Sequence, residues 1–513
     1  MLAVAIPLSE FLMSVSQLIL AANWFLEGNF KNKFSLLKTR KSILFFVSII
    51  AIHLIWLINT TDFTYAFHDI RVKGPILILP VIIGTSGILT IKQTKILILF
   101  FVAAVTGGSL VSLSILLGIL SYPIESFRDI SIYISHIRFS LMIVFAIFAL
   151  YYFMFKNFGK LVFWEKIIYA VLIIWLIVFL YLLQSLSGIF IFIIITIGLL
   201  FSGALKFKKI YLKFITTAML LVIIAASIFY IYNSVKQFYE IEEITEQTID
   251  KKTKQDNLYV HDFKSKLIEN GTYTNLYICE KEMIETWNKI SDYKYWEKDK
   301  KGQKTKYTLI RYLTSKGLRK DAEGVKSLSE WDIENIENGI ANYIFTNKYS
   351  ISAIIYKFIW EIDVYFKTGN PNNHSVAQRL EYLKAAKGII KDNFWFGIGT
   401  GDIKIEFKNQ YEKMLTKLDE NNQRRAHNQY ASLLLTFGVF GFVYLMIALF
   451  APYFMHKDKH HLLFFVLMLI IIFSMINEDT LETQPGITFF AFFYSVFLYA
   501  WNNDGFTDRN KLQ

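Results

Sequence analysis

The chain has 513 residues, of which 54% are hydrophobic and only 19% are charged. Soluble domains carry roughly 25% charged residues, and apolar runs of about 20 residues recur here, which excludes a fully soluble protein. The net charge of +12 does not indicate nucleic-acid binding, because most of the excess lies in short loops between apolar runs, where it sets topology. Residues 233–426 differ from the rest, with 32 Lys and Arg and 29 Asp and Glu. We therefore predict a polytopic membrane protein with one large segment in water.

Eleven apolar runs predict membrane-spanning helices. In chain order they cover residues 3–26, 42–58, 75–90, 96–120, 138–155, 167–183, 188–202, 211–232, 429–453, 462–476 and 486–501. Each is expected to be helical, because lipid offers backbone N–H and C=O groups no other hydrogen-bond partner. The predicted fold class is all-α, with about eleven transmembrane helices and one large, mainly helical segment between spans 8 and 9.

Loop charge predicts the orientation of these helices. Alternate loops hold 18 basic residues: Lys31, Lys33, Lys38, Arg40, Lys41, Lys92, Lys95, Lys156, Lys160, Lys166, Lys206, Lys208, Lys209, Lys213, Lys457, Lys459, Arg509 and Lys511. The other short loops hold four: Arg71, Lys73, Arg128 and Arg138. By the positive-inside rule the first set is cytoplasmic. We therefore expect residues 1–232 to form a transmembrane bundle, residues 233–426 an external domain, residues 427–501 three further spans and residues 502–513 a cytoplasmic tail.

Local patterns narrow the chemistry of the external segment. Apolar residues recur at helical spacing in 351–366 and 380–390, and the first stripe is expected to pack on protein rather than lie on the bilayer. Cys279 is the only cysteine, which excludes an intramolecular disulfide and a cysteine metal cluster. Gly397, Gly399 and Gly401 do not lie in the βαβ sequence context of a nucleotide-binding site. They instead predict a tight turn at which the backbone can closely approach another group.

Basic residues gather where the external segment meets the spans. Arg138 begins span 5, Arg379 begins an amphipathic helix, and Arg424, Arg425 and His427 precede span 9. Arginine at this depth is costly unless it is paired or lines a polar cavity, and guanidinium binds phosphate in a bidentate manner. A histidine here can take a proton from a sugar hydroxyl. The alternative is that single arginines extend towards lipid headgroups and that His427 is merely interfacial.

The loop between spans 10 and 11 carries three carboxylates within Asn477–Glu482. One interpretation is a solvated turn closed by Pro485 and Gly486. The other is functional, with Glu478 or Glu482 orienting His427 or binding an acceptor. Both interpretations remain open at this point.

The stretch 379–442 resembles the shared domain of bacterial O-antigen ligases, O-antigen polymerases and protein O-oligosaccharyltransferases. The resemblance rests on Arg379, then Asn393-Phe394-Trp395-Phe396-Gly397-Ile398-Gly399-Thr400-Gly401, then His427-Asn428, then Gly438-Val439-Phe440-Gly441. It implies a multi-pass enzyme of the bacterial inner membrane with a large periplasmic loop. The implied reaction moves a glycan from an undecaprenyl-pyrophosphate donor to an acceptor hydroxyl, with inversion and without a metal ion or cofactor.

The resemblance also implies residue roles. His427 is the catalytic candidate and Arg379 binds the donor pyrophosphate. Arg138 is assigned pyrophosphate binding from its location only. Arg424 and Arg425 are assigned the same role because they are neighbours of His427 in the sequence. The glycines of the turn and Asn428 are assigned supporting roles.

The sequence departs from its relatives in three respects. Many relatives have a Ser-Arg pair at the start of a middle helix, where this chain has Ser185-Leu186-Ser187-Gly188. Relatives commonly have twelve spans with the N-terminus inside, whereas eleven with Met1 outside are predicted here. The external segment is also longer than usual.

Several functions are compatible with these observations. The first is an O-antigen ligase with lipid A core as acceptor, working among membrane lipids. The second is a polysaccharide polymerase or a protein O-oligosaccharyltransferase of the same family. A polysaccharide or lipid transporter is the alternative from another class, but transporters usually show an internal repeat and broken midplane helices, and neither is evident.

Overall fold

The computed structural model describes residues 1–123, 127–155, 162–241, 249–265, 267–347, 350–456 and 461–501. The predicted cytoplasmic tail 502–513 lies outside the described residues, as do six of the basic loop residues: Lys156, Lys160, Lys457, Lys459, Arg509 and Lys511. The described residues are mainly helical, as predicted, with a single two-stranded antiparallel pair of very short strands.

The first half of the described chain consists of helices connected by short loops. They are α1 (Leu2–Leu8), α2 (Glu10–Leu26), α3 (Phe30–Thr39), α4 (Lys41–Ile55), α5 (Phe63–Val72), α6 (Gly74–Thr85), α7 (Ile91–Leu116), α8 (His136–Phe155), α9 (Phe163–Leu182), α10 (Leu186–Leu205) and α11 (Ile210–Tyr239). Short 3₁₀ turns follow α4 at Trp56–Asn59 and precede α8 at Phe127–Ile130.

The second half begins with the strand pair and ends with three apolar helices. The elements are β1 (Ile268–Glu269), β2 (Thr272–Tyr273), α12 (Glu280–Ile290), α13 (Thr305–Ser315), α14 (Ala322–Lys326), α15 (Glu330–Glu337), α16 (Ile351–Thr368), α17 (Ser375–Asp392), α18 (Ile403–Lys413), α19 (Gln429–Met455), α20 (Leu462–Asn477) and α21 (Gln484–Ser495), which continues as a wider helical turn over Val496–Ala500. Further 3₁₀ turns lie at Tyr343–Thr346, Glu420–Asn422 and Thr480–Glu482.

Within the described residues, seven helices are long and apolar enough to cross a membrane. They are α4 with its 3₁₀ extension, α7, α8, α9, α10, α11 and α19; α2 and α3, which meet at 111°, would add an eighth if they form one span. The predicted count of eleven is therefore not confirmed.

Two of the predicted spans differ from the helices that the structure shows. The run 3–26 is broken at Ser9, whose hydroxyl accepts a hydrogen bond from the Leu12 amide and so caps the start of α2. The run 75–90 forms only the 12-residue helix α6, which is about 18 Å long at 1.5 Å per residue. That is short of a hydrocarbon core of roughly 30 Å.

The chain forms two compact units. Unit 1 comprises Met1–Gly203, Glu381–Thr416 and Gln423–Gln513. Its core surrounds α8, which is largely buried, and α21, which is almost completely buried; these helices pack against α20, α6 and α7. Their rings interlock, as between Phe145 and Phe493, whose centroids are 4.7 Å apart.

Unit 2 comprises Ala204–Leu380 and Lys417–Asn422. One core gathers α12, α13 and α15 around Met283, Trp287 and Leu313. A second core joins the end of α11 to α16 through Phe238, Tyr356 and Ile359. The apolar stripe of 351–366 therefore lies on a helix, as predicted, and its buried face packs on protein.

Candidate functional site

The glycine turn Gly397–Gly401 is held against backbone within unit 1. The amides of Ile398 and Gly399 donate to the carbonyls of Leu435 and Thr436, which α19 leaves free where it kinks at Gly438 (φ 60°, ψ −174°). A Cβ at Gly399 (φ +94°) would lie 2.3 Å from the carbonyl oxygen of Asn59. The close approach is thus to protein backbone, and the amides of Ile398 and Gly399 are already used.

The segment that precedes α19 is held by the side chain of Asn428. Asn428 caps α19, because its Oδ1 accepts from the Ala431 amide at 2.9 Å, while its Nδ2 donates to the Ile476 carbonyl at 2.8 Å. His427, the preceding residue, has φ +47°. A left-handed conformation is costly for a non-glycine residue and occurs where the surroundings enforce it. The two contacts of Asn428 supply that constraint.

A buried lysine joins two distant loops. Lys73, between α5 and α6, is 3% exposed; its Nζ lies 2.6 Å from Asp69 Oδ1 and 2.7 Å from Glu482 Oε2. Gln429 extends this group, donating to Glu482 Oε1 at 2.8 Å and accepting from the Leu481 amide at 2.8 Å. The carboxylate loop between α20 and α21 is therefore buried and paired, which contradicts the interpretation as a solvated turn.

Two arginines extend the charged group. Arg425 approaches Glu482 Oε2 at 3.3 Å through Nη1 and Asp479 Oδ2 at 3.6 Å through Nε. Arg138, at the start of α8, lies 3.4 Å from Glu478 Oε2 and donates from Nη2 to the Asp479 carbonyl at 3.3 Å. Three permanent cations thus face four carboxylates in one continuous ionic network.

His427 lies at the edge of this network. Its Nδ1 is 3.6 Å from Glu478 Oε2, and its side chain is 27% exposed whereas that of Glu478 is 1% exposed. The ring of Tyr382, a buried residue of α17, lies against the imidazole with centroids 5.5 Å apart and planes inclined at 32°. One ring nitrogen therefore faces a carboxylate, while the side chain keeps an exposed surface.

Burial and neighbouring positive charges shift the pKa values of the carboxylates in opposite directions. The carboxylates of this network all lie outside the candidate spans. Burial by itself raises the pKa of Glu482, but Lys73 and Arg425 outweigh it and hold that pKa well below its usual range. Burial raises the pKa of Asp479 against the effect of Arg425 and of a hydrogen bond from Ser432. Burial likewise raises the pKa of Asp69 against Lys73. Glu482 is therefore the firmly ionised member, whereas burial favours the protonated forms of Asp69 and Asp479.

Residues 339–446 match the family model described as O-antigen ligase. The chain carries an O-antigen ligase domain. The match covers about a fifth of the chain and includes Arg379, the glycine turn, Arg425 and His427. It indicates a membrane glycosyltransferase of the O-antigen ligase or polymerase type. No curated protein matches the chain.

Five of the eleven predicted site residues lie in the ionic network or at its edge. The structure brings together Arg138, Arg425, His427, Glu478 and Glu482. The side chain of Arg424 is exposed and takes no part in the ionic network. Arg379 lies in the first turns of α17 and belongs to unit 2.

Outside the O-antigen ligase domain, the segment Ser185-Leu186-Ser187-Gly188 packs against α8 through Ser140. Ser185 donates to Ser140 Oγ at 2.8 Å, and a Cβ at Gly188 would lie 2.5 Å from that of Ser140. Ser140 is two residues after Arg138 on α8. Because side chains two positions apart on a helix do not face each other, these contacts do not place the guanidinium of Arg138 at this segment.

Sequence reasoning missed several members of the network. Asp69, Lys73, Gln429 and Tyr382 were not chosen as site residues, and Asp479 was noted only as a member of an acidic loop. The one local signal was the i, i+4 spacing of Asp69 and Lys73 in a loop between two apolar runs. Their partner Glu482 lies 409 positions further along the chain than Lys73, so no local pattern could connect them.

Proposed function

We propose that the protein transfers a glycan from an undecaprenyl-pyrophosphate carrier to an acceptor hydroxyl, with lipid A core as the acceptor and inversion at the anomeric carbon. It would act in the bacterial inner membrane with residues 233–426 in the periplasm, and, as the resemblance implies, without a metal ion. The O-antigen ligase domain supports the reaction class. The donor, the acceptor and the residue roles are our inference.

The pairing of His427 with Glu478 is the observation that carries this proposal. A carboxylate facing Nδ1 favours the tautomer with the proton on Nδ1, which leaves the Nε2 lone pair available. The separation of 3.6 Å is longer than a hydrogen bond, as is common before substrate closes a catalytic site. The positive charge that develops when His427 takes a proton would then be compensated by a buried carboxylate.

The reaction then follows from this arrangement. Nε2 of His427 removes the proton of the acceptor hydroxyl, and the oxygen attacks the anomeric carbon from the face opposite the pyrophosphate. The new glycosidic bond forms as the bond from carbon to phosphate oxygen breaks, and that electron pair leaves with undecaprenyl pyrophosphate. The proton remains on His427 until it is lost to solvent. One displacement of this kind inverts the anomeric configuration.

Departure of a pyrophosphate requires positive charge that is already in place. Arg425 approaches its carboxylates through Nε and Nη1, and a guanidinium has five N–H donors, so donors remain for phosphate oxygens. Arg138 adds a second charge at the same acidic loop. We assign the donor pyrophosphate to these two arginines and to Arg424, which is exposed beside Arg425. For Arg379, which belongs to unit 2, a role in donor binding is proposed from the sequence motif alone.

The decisive experiment replaces His427 with asparagine, a residue that tolerates the left-handed conformation. Purified His427→Asn protein should form no product from lipid-linked donor and lipid A core acceptor, while its thermal unfolding stays close to that of wild type. Ser9→Ala provides the matched control, because it removes a helix cap that takes no part in the ionic network, costs about 1 kcal/mol of stability and should retain transfer.

The same experiment separates the competing functions. Product formed at the wild-type rate by His427→Asn would overturn the catalytic assignment. Wild-type protein that moves lipid-linked glycan between vesicle leaflets without forming a new glycosidic bond would be a transporter, and the proposal would fail.

A further inference from the structure

A second cationic group lies in unit 2. Arg311, on α13, donates from Nε to Oε1 of Glu269 at 2.6 Å. Glu269 is 1% exposed and also accepts from Asn342 Nδ2 at 2.6 Å. The buried carboxylate of Glu269 therefore binds Arg311 through Nε, the guanidinium nitrogen that is attached to the rest of the side chain.

The plane of the Arg311 guanidinium is oriented by an aromatic ring. Its central carbon lies 4.3 Å from the ring centroid of Trp360 on α16, which fixes its plane by stacking. Neither terminal nitrogen has a hydrogen-bond partner among the described residues. The side chain is 27% exposed. A fork with two free nitrogens, fixed in plane and open to solvent, matches two oxygens of one anion.

Two further groups surround Trp360. The ring of His374 contacts it edge-on, with centroids 5.0 Å apart. Lys357, 63% exposed, lies three residues before Trp360 on α16, and its Nζ is 3.9 Å from Glu361 Oε1, which is too long for a hydrogen bond. Burial lowers the pKa of His374; Glu361 opposes this shift, and Arg311 and Lys357 reinforce it. The two cations are thus close enough to act on this imidazole.

We propose that Arg311, Lys357 and His374 form a phosphate-binding site on unit 2. Arg311 takes two phosphate oxygens through its terminal nitrogens, Lys357 adds a mobile charge, and His374 offers a ring N–H. A phosphate group with a charge near −2 suits this set better than a neutral sugar. The phosphate can come from a lipid headgroup or from a phosphorylated soluble molecule. The inference does not depend on the proposed transfer reaction.

The test observes Trp360 directly. The full chain is labelled with 5-fluorotryptophan and placed in nanodiscs of zwitterionic lipid, and a Trp360→Phe sample identifies the Trp360 signal among the ten tryptophans. Inorganic phosphate is added at constant ionic strength. We expect the Trp360 fluorine signal to shift saturably. Arg311→Lys, which keeps the charge and loses the fork, should weaken binding roughly 10- to 150-fold.

Arg319 provides the matched control. Its guanidinium also stacks on an aromatic ring, that of Tyr277 at 4.8 Å, but a terminal nitrogen is already paired with Asp250. Arg319→Lys should leave phosphate binding at Trp360 unchanged. Equal weakening by both substitutions would show a general charge effect and overturn the site.

The remaining outcomes also decide the proposal. If Arg311→Lys fails to fold, His374→Ala and Lys357→Ala take its place, and wild-type affinity in both would overturn the site. A Trp360 signal that shifts when phosphatidylglycerol replaces zwitterionic lipid, with no phosphate added, assigns the site to a lipid headgroup. A shift only with soluble phosphate assigns it to a soluble ligand. No shift in either case refutes the proposal.

Discussion

Replacing Glu478 with glutamine tests whether this carboxylate positions and stabilises His427. The change preserves shape and removes the negative charge that lies 3.6 Å from the imidazole. At that distance and an effective dielectric constant of about 20, a full ion pair is worth about 5 kcal/mol. Arg138 lies 3.4 Å from the same carboxylate oxygen and competes for it, and His427 is partly solvated. We therefore expect a net loss of about 1.5–3 kcal/mol, which lowers kcat roughly 10- to 150-fold.

The assay is steady-state transfer by purified Glu478→Gln from lipid-linked donor, with kcat, KM and Tm determined. We expect kcat to fall more than KM changes, because the carboxylate compensates a charge that develops only as His427 takes a proton. A purely structural role would instead lower Tm and the fraction of folded protein. Glu165→Gln is the matched control, since Glu165 is a partly exposed carboxylate that caps the start of α9 and should leave kcat unchanged. Wild-type kcat, or a fall in kcat that only follows the loss of folded protein, would refute the reasoning.

Four further predictions follow from the same geometry and from the sequence. Lys73→Met leaves two buried carboxylates without their shared cation and should destabilise the protein by about 3–5 kcal/mol, seen as a lower Tm; an unchanged Tm would contradict the buried network. Gly399→Ala places a Cβ 2.3 Å from a backbone oxygen and should lower Tm, whereas Gly198→Ala, in open space on α10, should not. Arg379→Lys should reduce transfer roughly 10- to 150-fold if its fork binds pyrophosphate, and full activity would remove it from the donor site. Reporter fusions at Lys300 and at the C-terminus should indicate opposite compartments, and agreement between them would overturn the predicted topology.

Local sequence determined where most helices lie. The run 211–232 and the stripe 351–366 were predicted from composition and periodicity, and the helices are Ile210–Tyr239 and Ile351–Thr368. Both signals act within one or two turns of the chain, so they need no knowledge of distant residues. Where prediction was inexact, as for the run 75–90, the apolar composition was clear but the point at which the helix ends was not.

The candidate site could be predicted only to a limited extent. His427, Arg425 and Glu478 were chosen because their residue types are unusual beside apolar helices, and that argument is local. Their pairing is not local: Glu478 lies 51 positions after His427 in the printed sequence, and its distance of 3.6 Å depends on how α19 and α20 pack. The left-handed conformation of His427 likewise depends on contacts made by Asn428 to the end of α20.

What the sequence by itself determined, then, is the helical membrane character of the chain, the family resemblance and the residue types available for chemistry. Tertiary structure decided which of them meet. In the folded chain Lys73, which the sequence indicates only as a loop charge, pairs with Glu482. Arg425 contacts the same carboxylate, whereas its neighbour Arg424 is exposed. The physical reason is that burying a charge is tolerated only when an opposite charge is brought to it. Such partners come from segments that are distant in sequence and adjacent only after folding.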